Sequence, residues 1–599
     1  MDQFVSLRNL KFMLYEVFQI EDLIQYPYFQ EHSREIFDLT LETALKMGQD
    51  MLRPALREMD QTPPAFINGE VKVHPTVRTF MKESGEGGWI ASLFTFDQGG
   101  QQIPQLISTA GQFIFSAANY SASVYPHLTA GAANLILSFG SEELKELYVP
   151  RMLSGEWQGT MALTEPQAGS SLSDIQTMAL PTDQGFYRIR GQKIFISAGD
   201  HDGVDNVVHL MLAKIKGAPA GVKGISLFVV PKKRVEGREL VFNDLQVAGV
   251  YHKLGYRGAP ITQLSMGEMD DCRGYLVGEP HQGLPYMFQM MNEARINVGL
   301  GAAGIASAAY YASLEYTRER LQGRKISAKD PATPQIPIIE HADIKRMLLF
   351  QRAITEGSLS ILLQCSRYVD QMKITEGEER NRYHLLLDLL TPVAKTYPSE
   401  MGILSISQGL QCLGGYGYCD EFLLELFYRD ARIHPIHEGT TGIQGLDLLG
   451  RKVLMKGGKA FSLFVEEVQK TIREAETVPT LNPYARMLGE SLESLKKITG
   501  YLVSLGQEGK TELFLADATL YLELFGIITI AWQWLLQGLS LQKALSTDLS
   551  ALERQFYQGK FHTMRFFYHY ELPKIQGLLQ RLKESDGLTI SMEKSLFVD

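Results

Sequence analysis

Apolar residues recur at three- and four-residue spacing through REIFDLTLETALKMGQDMLRPAL, which starts at Arg34, and this period predicts helix. TAGAANLILSFGSEELKELYVPRML repeats the period with one break, where Gly140 ends a helix and Ser141 opens the next. Residues 34–158 read as an N-terminal α-helical domain behind a leader segment at 1–33. After Thr160 the pattern changes to short β-branched and aromatic runs: FYRIRGQKIFIS, NVVHLMLAKI, GISLFVVP and ELVFNDLQV. Gly, Pro, Asn and Asp separate them, which predicts antiparallel strands in a β-barrel or sandwich over 159–285. Helical periodicity returns near Pro285, with breaks at LGGYGYCD (413–420) and KGGK (456–459). Residues 286–455 form one predicted helical domain and 456–599 an additional one. The class is α+β, in the order α, β, α and a further α, with no internal repeat.

The chain has 599 residues, enough for several domains, and its 45% hydrophobic and 21% charged residues are an ordinary globular balance. Its net charge of −10 disfavours a general nucleic-acid binder. Four cysteines, Cys272, Cys365, Cys412 and Cys419, cannot make a disulfide framework, and a reducing cytoplasm fits them. MDQFVSLRNLKFMLYEVF lacks the basic, apolar and small-residue order of a secretion signal. The most apolar run, LFGIITIAWQWLL at 524–536, is short of the ~20 residues a spanning helix needs, so a buried helix is expected.

Gly299-Leu-Gly301-Ala-Ala-Gly304 matches the G-x-G-x-x-G dinucleotide fingerprint by letter. MNEARINV before it is too polar for a buried parallel strand, and helical periodicity runs on beyond it. Small residues that let a neighbouring helix approach are the expected reading.

Three segments and a glycine loop carry chemistry together. They are Met161-Ala-Leu-Thr-Glu-Pro-Gln-Ala-Gly-Ser170, Lys193-Ile-Phe-Ile-Ser-Ala-Gly-Asp200, Gln411-Cys-Leu-Gly-Gly-Tyr-Gly417 and Arg429-Asp-Ala-Arg-Ile-His-Pro-Ile-His-Glu-Gly-Thr-Thr-Gly-Ile-Gln444. Alone, each reads equally well as a turn, a strand or a helix cap. In this order and spacing they resemble the acyl-CoA dehydrogenase flavoproteins from about residue 34 to 455, closest to the large bacterial branch with a C-terminal extension.

The resemblance implies an N-terminal helical domain, a central antiparallel β-barrel, a C-terminal four-helix bundle and an extra helical domain. It implies FAD as cofactor, an acyl-CoA substrate, an electron-transfer flavoprotein as oxidant and a homodimer; the charge, the residue spacings and the short apolar run give no reason to expect nucleic acid, metal or an integral membrane segment. Glu438 matches the catalytic base, and desolvation would raise its pKa. Its backbone N–H would help receive the thioester oxygen, which Gly439 lets approach. Met161, Leu163, Thr164, Gly169, Ser170, Phe195 and Ser197 match flavin contacts. Phe195 stands where relatives often have Trp, Ser197 replaces Thr, and Ser171 replaces the usual Asp. Arg320, Gln322, Gln411, Gly414 and Gly415 match groups that reach FAD pyrophosphate and adenylate, and Thr440, Thr441 and Gly442 complete the cofactor set. Ser170, Asn292, Arg295 and Gly439 match substrate positions, and His437 stands where relatives often have Tyr.

The rival base position of some relatives is Ala294 here, and Glu293 beside it would point elsewhere. Reading Glu438 as structural would pair it with Arg429 or Arg432. His434 and His437 could share a helix face, but Pro435 lies between them and no third ligand is apparent; His127 reads as a core or pocket-lining histidine. An acyl-CoA oxidase on the same fold is the alternative, and a non-catalytic flavin-fold binding module the remote one.

Overall fold

The computed structural model describes residues 3–328, 330 and 332–598, with the side chains of 289–291 outside the description. The chain divides into two compact units, one of residues 38–104 and 114–294, the other of 1–37, 105–113 and 295–599.

The first unit joins helices to a sheet. The amphipathic stretch predicted from Arg34 forms the helix Arg34–Met47, a π-helical turn Gly48–Leu52 and the helix Arg53–Gln61. The long helix Gln105–Phe139 breaks at Asn119, which leaves helical geometry. The Asn119 amide donates to the Leu52 carbonyl, and its oxygen accepts from Ala122 N–H, so the side chain caps the helix that resumes. Gly140 and Ser141 separate two helices as expected, and Ser141 Oγ accepts from Leu144 N–H.

The eight-stranded sheet runs in the order Leu245–Val250, Ile261–Met266, Tyr187–Ser197, Arg273–Val277, Ile225–Pro231, Asn206–Ile215, Trp157–Ala162. Met178–Pro181 pairs with both Tyr187–Ser197 and Asn206–Ile215. Most pairings are antiparallel, but Asn206–Ile215 runs parallel to Trp157–Ala162 and to Met178–Pro181. Alternating side chains such as Ile189, Met211, Phe228, Leu264 and Met266 fill the sheet's core.

The second unit is helical. Gly283–Glu319, Ala342–Ile374, Gly377–Leu413 and Thr441–Gly450 supply its bundle. The fingerprint-like glycines lie inside one helix, and a Cβ at Gly299 would collide with the Ala394 carbonyl oxygen. Gly299 thus serves helix packing, as expected. The extension contributes Met455–Glu476, Asn482–Gln507, Ala518–Leu545 and Ala551–Phe566. The apolar run lies in Ala518–Leu545, within a stretch long and apolar enough by length and composition to cross a membrane. Its residues are instead largely buried against the bundle: Trp534 Nε1 donates to Ala353 O, and Ser360 Oγ donates to Gln533 Oε1.

The leader is part of this unit. Phe4, Leu10, Phe12, Met13 and Leu14 are buried, Arg8 pairs with Glu553, and Ser540 Oγ donates to Glu16 O. Lys560 lies fully buried between Asn9 and Glu356.

Candidate functional site

In the β unit the expected flavin residues gather around one irregularity. Strand Tyr187–Ser197 loses register against Ile261–Met266 between Thr262 and Leu264, opposite Lys193–Ile196. Phe195 has φ +57° and Ala198 φ +49°, a region that residues with side chains rarely adopt. The bulge turns the Phe195 ring outward, 58% exposed and 4.7 Å from the Tyr251 ring. Such backbone strain in a sheet is a marker of function.

The Met161–Ser170 segment returns to this bulge. Met161 ends in strand Trp157–Ala162, and Ile194 N–H donates to the Thr164 carbonyl at 2.9 Å. Glu165 and Ala168 exchange backbone hydrogen bonds, closing a turn that leaves Gly169 and Ser170 exposed. The Ser171 hydroxyl donates to Asp174 Oδ2. Beneath the turn, Lys193 Nζ reaches Leu163 O at 2.9 Å and Glu165 Oε1 at 2.8 Å, both side chains buried. Glu165 also accepts from Gln176 and Thr177 N–H. Burial alone would raise the Glu165 pKa; Lys193 and these donors more than offset it, and the carboxyl stays below its usual range. Burial lowers Lys193 to about 8.

In the helical unit Glu438 precedes the helix Thr441–Gly450. Glu438 has φ +52° and Gly439 φ +88°, two successive left-handed residues. For Glu438 this costs of order 1–3 kcal/mol. Gln444, fully buried one turn into the helix, holds the elbow: its Nε2 donates to Glu438 O at 3.1 Å and Gly439 O at 3.3 Å. Thr441 Oγ1 donates to the Glu400 carboxylate. Lys395 Nζ donates to His434 O at 2.6 Å.

Burial raises the Glu438 pKa, and the attraction of Arg295 and then Lys395 only partly opposes it. Among the described residues no hydrogen bond or ion pair reaches its carboxylate. Of the two arginines that the structural reading would pair with Glu438, Arg429 pairs with Glu425 and Arg432 is exposed. Arg295, expected near substrate, is buried and paired with Asp447 at 2.8 Å; it acts on Glu438 through its field. Asn292 and Glu293 are half-buried on the same helix, in its part assigned to the β unit.

Arg320, Gln322, Gln411, Gly414 and Gly415 are exposed. Tyr316 and Tyr416 both meet the Phe422 ring, at 5.4 and 5.6 Å, so one aromatic cluster anchors the segment ending at Arg320 and the glycine loop. Thr440 and Gly442 are exposed beside the elbow, and His437 is half-buried with its Nε2 unpartnered. Sequence reasoning did not find Lys193, Glu165, Lys395 or Gln444; the one signal was charge and amide placed within apolar runs.

In the β unit, hydroxyls beside an outward aromatic face suit a flat, hydrogen-bonding ring. Four family models match in chain order: the acyl-CoA dehydrogenase N-terminal domain at 39–156, middle domain at 160–269 and C-terminal domain at 281–454, then an acetyl-CoA dehydrogenase C-terminal-like domain at 464–593. The chain is 33% identical to a butyryl-CoA dehydrogenase of Syntrophomonas wolfei over 99% of both chains. It is 36% identical to a 3-methylmercaptopropionyl-CoA dehydrogenase of Ruegeria pomeroyi, covering 92% of this chain and 94% of that one. Its fold is similar to an acyl-CoA dehydrogenase of Bacillus anthracis solved with FAD: TM-score 0.74, 21% identity, 96% of this chain and 91% of that one.

Proposed function

The chain belongs to the acyl-CoA dehydrogenase family of FAD-dependent oxidoreductases, and on that premise we propose that it converts an acyl-CoA thioester to the trans-2-enoyl-CoA with Glu438 as base. The observation that carries this reading is the strained, half-buried Glu438, whose pKa is raised and whose carboxylate meets no hydrogen-bond or ion-pair partner among the described residues. An α-proton beside a thioester is weakly acidic. A desolvated carboxylate accepts it far better than a hydrated one. Glu438 N–H, which no acceptor takes among the described residues, receives the thioester oxygen as it gains charge. Arg295 and Lys395 favour the ionised form of Glu438 and so oppose the rise that burial causes. Bound FAD supplies the acceptor for the β-hydride.

Phe195 offers its ring to the flavin; Thr164, Ser170 and Ser197 offer hydroxyls; Met161, Leu163 and Gly169 offer backbone. Thr440, Thr441 and Gly442 complete the flavin set, while Arg320, Gln322, Gln411, Gly414 and Gly415 serve the phosphate and adenylate end. Ser170, Asn292 and Gly439 face substrate. We assign the reoxidation to an electron-transfer flavoprotein, the assembly to a homodimer and the location to the cytoplasm.

Anaerobic addition of a panel of acyl-CoA esters to the yellow protein tests this. The right ester bleaches the flavin, and Glu438→Gln keeps the flavin but is not bleached. Full bleaching of that variant overturns the assignment. Peroxide formed in stoichiometry with turnover in air would favour an oxidase instead.

A further inference from the structure

We infer that Lys193 is a positioning residue for the flavin, acting through the Leu163–Thr164 peptide; this rests on the FAD reading above. The peptide is planar and trans, so its C=O and N–H point in opposite directions. Lys193 Nζ draws the Leu163 carbonyl into the protein at 2.9 Å. The Thr164 N–H therefore faces outward, and among the described residues no backbone acceptor takes it. It stands on the same turn as Ser170, beside the bulge that presents Phe195.

The rest of the network serves that one orientation. The Thr164 carbonyl is held by Ile194 N–H, from the strand that has lost its ladder partner at the bulge. Glu165 keeps the Lys193 ammonium in place at 2.8 Å and is itself fixed by Gln176 and Thr177 N–H. Two buried charges of this kind are a poor source of stability, because well-packed apolar side chains of similar volume do as well. A fixed ammonium does something an apolar side chain cannot: it selects which face of a peptide points outward. A donor aimed at the flavin's pyrimidine edge favours the reduced, more negative ring.

The test uses the FAD-loaded protein and two variants. Lys193→Met with Glu165→Gln removes both buried charges and leaves Leu163 O without its donor. Glu165→Gln alone keeps the Lys193–Leu163 bond. The double variant is expected to fold, to bind FAD about tenfold more weakly and to show a lower flavin potential. A tenfold change in the ratio of oxidised to reduced flavin corresponds to ~30 mV for this two-electron couple. Glu165→Gln, which leaves Lys193 able to donate to Leu163 O but unanchored, is expected to shift the potential less than the double variant and to lose thermal stability. If the double variant keeps the wild-type affinity and potential, Lys193 only balances Glu165 and the inference is overturned. The same holds if Glu165→Gln shifts the potential as far as the double variant. A wild-type protein that takes up no FAD contradicts the function reading itself, a separate and distinguishable failure.

Discussion

Glu165 in the β unit is buried and Glu438 in the helical unit half-buried, and a buried lysine acts on each, yet their pKa values move in opposite directions. Burial pushes both pKa values up. Glu165 receives hydrogen bonds from Lys193, Gln176 and Thr177, and they bring it below the usual range. Glu438 feels Arg295 and Lys395 at a distance, but Lys395 spends its hydrogen bond on the His434 carbonyl and Arg295 is paired with Asp447. The lesson is that direct donors decide whether an enclosed carboxylate is a fixed anion or a proton acceptor. One arrangement holds a loop; the other leaves a base unsatisfied.

Neutralising each carboxylate breaks the comparison most sharply. Glu438→Gln should lower turnover by ~10³-fold with FAD retained, measured by steady-state dye reduction. Glu165→Gln should instead cost about 3 kcal/mol of stability, since it leaves the Lys193 ammonium buried without its counter-charge, and calorimetry reads that loss. Glu438→Gln should melt higher than wild type at neutral pH, because the fold disfavours this group's charged form.

Two smaller changes sharpen the contrast. Gln444→Leu frees the carbonyls of Glu438 and Gly439, and kcat should fall about tenfold with little change in KM. Lys395→Met removes a cation that lowers the Glu438 pKa. Glu438 must be ionised to accept a proton, so activity rises with pH through its pKa, and the acid limb of the kcat/KM profile should move to higher pH. Stability carries the reverse signature at Glu165. Its folded pKa is lowered, so its contribution is present above the ordinary glutamate value and is lost as pH falls through the folded value. Melting curves between pH 7 and the acid range should lose that component in Glu165→Gln.

The fold was legible where one periodicity dominates. The amphipathic helix from Arg34, the Gly140–Ser141 junction and the buried run near Trp532 all follow from local pattern. The parallel pairing of Asn206–Ile215 with Trp157–Ala162 was not legible, because strand direction depends on a crossover and not on side-chain alternation. The leader's burial was hidden too: Arg8 and Asn9 find partners at Glu553 and Lys560, more than 500 positions away in the sequence. Glu438 stood out by its motif, whereas its left-handed backbone, Gln444 and Lys395 become visible only when the chain is folded. Lys193 opens a strand segment, and nothing local marks it as buried; its burial depends on a turn about thirty residues upstream.

The central claim is that Glu438 takes the α-proton, and exchange with solvent reads that step without waiting for the electrons to leave. The holoenzyme is incubated in D2O with an acyl-CoA analogue whose β-position carries no transferable hydrogen, and the α-proton signal is followed by NMR. Wild type should exchange it, and Glu438→Gln, with FAD bound and the fold intact, should not. Exchange by the variant at the wild-type rate would contradict the account.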